Sequence, residues 1–178
     1  MLLRETSPGV FYSESPTISV GASDLAFLLQ EARKNAKHRA RLCAHPDVSD
    51  PVHEMVICLL QDCHVQPHCH RKCESLHIIE GHCDLVLFDP GGRIMNVVEL
   101  GNLAEKTRYI RLEPQLFHTL IVRSKYVVFH ETVRGPFRRE DTLHADWAPS
   151  EGETESLRRY FCELDESISK LRINGKGS

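Results

Sequence analysis

Apolar and polar positions change rhythm twice along the chain. Leu25, Leu28, Leu29, Ala32 and Ala36 recur at helical spacing behind Ser23, a residue suited to an N-cap. The spacing predicts an amphipathic helix over residues 24–37 whose basic end suits the C-terminal dipole. After Pro46 come seven short apolar or alternating runs: Met55–Leu60, Leu76–Ile79, Asp84–Phe88, Ile94–Val98, Arg108–Leu112, Thr119–Val122 and Tyr126–Phe129. Turn signals separate them, most clearly Asp89-Pro90-Gly91-Gly92, which reads as a hairpin loop. Seven strands with no helical pattern between them predict an antiparallel sandwich or barrel.

Gly135-Pro136 closes the strand region, and Trp147, the only tryptophan, is expected to plug one end of the barrel. Leu157, Tyr160, Phe161, Leu164, Ile168 and Leu171 return to a helical period, predicting a second amphipathic helix that ends near Asn174-Gly175. It can pack on its own barrel or on a partner subunit. Pro8, Gly9, Pro16 and several serines give residues 1–21 the texture of an arm, in which Val10–Tyr12 and Ile18–Val20 can each add an edge strand. The expected organisation is therefore an arm (1–21), a β domain with its leading helix (22–152), and a C-terminal helix and tail (153–178).

Composition narrows the function. At 178 residues, with 41% hydrophobic and 26% charged positions, the chain reads as one globular domain able to bury a core. A net charge of −3 offers no footprint for nucleic acid or an anionic membrane. No apolar run approaches the roughly 20 residues of a bilayer span, and the start lacks the basic and apolar stretches of a signal peptide. Seven cysteines suit a reducing compartment, so a cytoplasmic protein is expected.

The local excess of Cys and His carries the chemistry. Nine of the 21 residues from Cys63 to Cys83 are one or the other. His68 and His70 stand at i and i+2, which places both on one face of an extended segment. Glu74 returns to that face if the chain turns at Arg71-Lys72. Two neutral imidazoles and a carboxylate form an open ligand set for a divalent first-row metal. A structural zinc site is the rival, but the chain has no C-x-x-C pair of the kind such sites use.

The pattern His68-x-His70-x(3)-Glu74-x(6)-Gly81 resembles the first motif of the cupin superfamily. The resemblance implies a jelly roll and a fourth ligand from a later strand, and His118 opens such a strand. Here Glu113 and Gln115 stand where the proline and glycine of the family's second motif usually fall. Arg39–His45, Pro67–Glu74, Phe88-Asp89-x-x-Gly92, His118–Leu120, Gly135–Phe137 and Trp147–Pro149 together resemble the WbuC-type cupin metalloproteins, with Cys43 and Cys73 replacing an expected asparagine and tryptophan. This likeness implies an all-β, cupin-type antiparallel β-barrel or jelly roll with an N-terminal and a C-terminal helix. It further implies a metal centre of His68, His70, Glu74 and His118 holding Fe, Mn, Ni or Zn, and a homodimer.

Glu131 shares an interior alternation with Val127 and Phe129, so it can serve as a base or orient a ligand histidine; a rim glutamate paired with an arginine fits the same pattern. Three functions are compatible with these residues. One is an enzyme acting on a sugar or sugar-nucleotide in bacterial surface-polysaccharide (O-antigen or capsule) biosynthesis. The others are a metal-dependent dioxygenase and a non-catalytic module binding a small ligand. Arg41 and His45 can reach the pocket or tie the leading helix down.

Overall fold

The computed structural model describes residues 2–175. The tail beyond them, part of the expected C-terminal segment, lies outside the described residues. In chain order the strands are β1 (Leu3–Ser7), β2 (Val10–Ser13), β3 (Arg39–Cys43), β4 (Val52–Leu60), β5 (His68–His70) and β6 (Glu74–Glu80). Then follow β7 (His82–Phe88), β8 (Ile94–Gly101), β9 (Tyr109–Leu112), β10 (Phe117–Val122), β11 (Tyr126–Arg134) and β12 (Thr142–His144). Helix α1 spans Ala22–Lys34 and α2 spans Thr154–Gly175.

The strands form two facing sheets of jelly-roll type. One runs β1-β2-β3-β4-β11-β6-β9 and the other β12-β5-β10-β7-β8. All pairs are antiparallel except β2 with β3, which run parallel. Leu59, Leu76, Ile78, Val127 and Phe129 from the larger sheet meet Cys83, Leu85, Leu100, Leu120 and Val122 from the smaller one in a shared core. Six of the seven predicted runs fall wholly within strands, and Arg108–Leu112 does so from Tyr109 onward. The strict alternation of β11, where Val127 and Phe129 are buried, sets which side chains face that core.

Each helix covers the outer face of one sheet. Leu28 and Ala32 of α1 pack with Phe11 and with Ala40, Leu42, Val56, Cys58 and Val128 on the back of the larger sheet. The helix starts two residues before the predicted boundary. Gly21 is its N-cap, and the Asp24 carboxylate accepts the Gly21 N–H at 2.9 Å, so Ser23 does not cap it. It stops at Asn35, whose extended backbone breaks the helix before residue 37.

Helix α2 lies on its own chain, burying Leu164 and Ile168 against Val86 and Phe88 of the smaller sheet. Arg172 reaches Asp84 at 2.7 Å, and Arg123 bridges Asp84 and Asp165 at 2.6 Å each. Trp147 does not plug the end of the sandwich. It sits beneath α2 with Phe88 and Phe117, at ring separations of 5.1 and 5.9 Å. Gly92 permits this placement: with φ at +86°, a Cβ there would lie 2.7 Å from the indole.

Residues 3–13 carry the composition of an arm, yet they pair as β1 and β2 and extend the larger sheet. Ile18–Val20 forms no strand, because the chain there crosses from β2 to α1 and Ile18 packs in the cluster under that helix.

Candidate metal centre

The centre lies where β5 and β10 of the smaller sheet face β6 and β11 of the larger. His68 pairs directly with His118 across β5 and β10, so both imidazoles project from one point on the inner face. Their ring centroids are 4.7 Å apart, and His70 stands 5.0 Å from His68. The metal-binding atoms of His68, His70 and His118 all lie within 4.8 Å of one another. Bonds of about 2.1 Å to one ion need donors no more than about 4.2 Å apart, so adjustments of a few tenths of an ångström bring all three onto it.

Glu74 supplies the acid. The chain bends at Arg71-Lys72, as expected, and β6 begins with Glu74 turned to the same interior, 4% exposed. Its two oxygens stand 3.5 Å from His70 Nε2 and 3.3 Å from His118 Nε2. All four residues expected as ligands therefore converge.

Hydrogen bonds fix which nitrogens face the centre. Nδ1 of His68 donates to the Gln66 carbonyl at 2.9 Å, and Nδ1 of His118 to the Leu116 carbonyl at 3.0 Å. A carbonyl only accepts, so each imidazole carries its proton on Nδ1 and turns an Nε2 lone pair inward. His70 Nδ1 lies 3.1 Å from the Thr142 hydroxyl, which steers that ring likewise.

The electrostatics follow from burial. Desolvation holds His68 well below the usual imidazole range, lowers His70, and takes His118 to about 4. The rings are therefore neutral at pH 7, and their short contacts with Glu74 are not ion pairs. Burial, then the charges of Glu131 and Cys73, push Glu74 up to about 9. Lone pairs aimed at a buried carboxyl group suit either a shared proton or a cation. This donor set, two tautomer-locked imidazoles, a third steered by a hydroxyl and an acid, fits a divalent metal ion.

Glu131 stands on β11 with Val127 and Phe129 facing inward before it, opposite Leu76 of β6. Burial raises its carboxyl to about 6, and Arg41 draws it back down. No arginine lies within ion-pairing distance of it among the described residues. His130 points outward, 3.6 Å from Glu54. Cys69 is buried away from the centre, whereas Cys73 borders Glu74 at partial exposure. All seven cysteines are free thiols. His45 stacks on His53 at 4.0 Å and meets the Tyr12 ring edge-on at 5.4 Å.

Two neighbours of the centre escape sequence reasoning. Thr142 and His144 lie on β12, whose register sets Thr142 opposite His70 and His144 opposite His68. The His144 ring is 6.1 Å from that of His68. A three-residue strand shows no periodicity, so only the pairing reveals them. Gln115 takes a left-handed backbone, φ 66°, at the position where the resemblance led one to expect glycine. Its N–H donates to the His70 carbonyl at 2.7 Å, which ties the turn to the ligand strand.

No helix among the described residues is long and apolar enough to cross a membrane. A family model described as a domain of unknown function (DUF6016) matches residues 20–100. No curated protein matches the chain. Among solved structures, protein SO0799 from Shewanella oneidensis aligns at 12% identity and a TM-score of 0.49, over 64% of this chain and 78% of that one. A point mutant of the Bacillus subtilis oxalate decarboxylase OxdC aligns at 18% identity and a TM-score of 0.48, over 65% of this chain. An oxalate oxidase bound to the substrate analogue glycolate aligns at 10% identity and a TM-score of 0.49, over 64% of this chain and 58% of that one. The alignment spans only 30% of the decarboxylase.

Proposed function

We propose that this chain is a cupin-type metalloprotein with a mononuclear, open divalent metal centre of His68, His70, Glu74 and His118. One observation supports it above the rest: Nε2 lone pairs of imidazoles with depressed pKa values converge on one buried carboxyl group. When bound, the ion would polarise an oxygen of a small polar ligand. Glu131 then holds or removes a proton of that ligand, since a carboxyl shifted to about 6 is ionised at neutral pH yet basic enough to accept one. Thr142 and the Gln66 and Leu116 carbonyls keep the imidazoles aimed, so the centre needs little rearrangement as it works.

The substrate in this reading is a sugar or sugar-nucleotide undergoing isomerisation or a related proton transfer. The motif series from Arg39 to Pro149, similar to WbuC-type cupins of surface-polysaccharide biosynthesis, supports that choice. The chain works in the cytoplasm as a homodimer. The test begins with metal content, measured on protein purified without a metal-affinity step. About one divalent ion per chain, lost in His118→Ala, is expected. Metal-loaded protein is then incubated with nucleotide-sugar pools, and product must vanish in Glu131→Gln while metal content stays. Metal uptake with no turnover across a broad panel would leave a ligand-binding module instead.

A further inference from the structure

Arg41 is an inward-facing arginine of the larger sheet with no acid within ion-pairing distance among the described residues. On β3 its neighbours Ala40 and Leu42 pack under α1, so Arg41 projects from the opposite, inner face, in register with Ile57 of β4. Ile57 in turn faces Phe129 of β11, two residues before Glu131. Arg41 is exposed, and its charge draws down both Glu131 and Cys43. Arg39, two residues earlier on the same strand, is clamped by Glu151 at 2.8 and 3.0 Å. Among the described residues no acid occupies the fork of donors that Arg41 carries.

We infer that Arg41 forms an anion subsite and that the ligand of this centre bears a carboxylate or phosphate group, held by Arg41 while another of its oxygens faces the metal centre. The inference rests on the metal-centre reading above. Charge balance supports it: the carboxylates of Glu74 and Glu131 offset a divalent ion, and the guanidinium remains as uncompensated positive charge. A neutral ligand leaves that charge unanswered, whereas a singly charged one pairs with it through bidentate hydrogen bonds. Tyr12, Cys43 and Met55 form a buried cluster next to Arg41 in the larger sheet and add no charge of their own.

The experiment is calorimetric titration of zinc-loaded protein with glucuronate, glucose 6-phosphate and glucose, and with lactate and lactamide as a sugar-free pair. Zinc stoichiometry is measured first. In the wild type, the anionic member of at least one set should bind about tenfold or more tighter than its neutral counterpart. Arg41→Gln should shrink that preference to within about twofold, Arg41→Lys should restore part of it, and zinc affinity should not change in either variant. A preference for glucuronate over glucose 6-phosphate identifies a carboxylate ligand, and the reverse a phosphate. Equal binding of anionic and neutral members by the wild type overturns the inference, as does an undiminished preference in Arg41→Gln. Wild-type protein that takes up no zinc overturns the metal-centre reading, and the anion subsite with it.

Discussion

His118 Nε2 stands 3.3 Å from Glu74 Oε1, although neither side chain is more than 6% exposed and each comes from a different sheet. The imidazole is neutral and the acid protonated at pH 7, since their pKa values are moved to about 4 and about 9. A proton between them occupies the place a metal would take. Metal uptake at pH 7.5 should therefore release close to one proton per ion, read from calorimetry in buffers of different ionisation enthalpy. Glu74→Gln should bind metal more weakly and release almost none. Equal release by both proteins would refute this account of the centre.

The same groups set a pH profile for the metal-free protein. Glu74 has a folded pKa above its unfolded value, so its contribution to stability is complete below pH 4.5 and is lost as pH rises through about 9. His118 has a folded pKa below its unfolded 6.5, so its contribution is complete above pH 6.5 and is lost as pH falls toward about 4. Melting temperature should thus decline from pH 6.5 toward 9 and again toward pH 4. In Glu74→Gln the alkaline decline should be smaller, while the acid one persists.

Thr142→Val removes the hydroxyl 3.1 Å from His70 Nδ1 and keeps the shape of the side chain. Losing such an outer partner typically costs about 10–100-fold in metal affinity. A competition assay with a chromogenic chelator should show that loss, with an unchanged circular dichroism spectrum. Affinity equal to wild type would mean the hydroxyl does not orient the ring.

Gln115 carries a left-handed backbone, φ 66°, without being glycine. That conformation costs an L-residue about 1–2 kcal/mol, while glycine adds about 0.4–1 kcal/mol of unfolded-chain entropy to be lost on folding. Gln115→Gly should then stabilise the protein by about 0.5–1 kcal/mol, which urea denaturation resolves. A destabilised variant would show that the Gln115 side chain holds the turn.

Ile168 is fully buried between α2 and the smaller sheet. Truncation to alanine should cost about 2–5 kcal/mol in urea denaturation. Little change would indicate that α2 is held mainly by the Arg172–Asp84 and Arg123–Asp165 pairs.

Local patterns were enough to locate seven of the twelve strands described, and to single out three of the expected ligands, because alternation and spacing act over a few residues. Val127, Phe129 and Glu131 share a face for the same reason that His68 and His70 do. The resemblance to a known motif added His118. Tertiary pairing decided the remainder. Only the register of β12 on β5 sets Thr142 against His70 and His144 beside His68. Only the burial of Ala40 and Leu42 under α1 turns Arg41 toward the interior. Trp147 left the barrel end expected for it because Gly92 opens a place beneath α2. These outcomes depend on which surfaces meet across long sequence separations, and no short window of sequence encodes that.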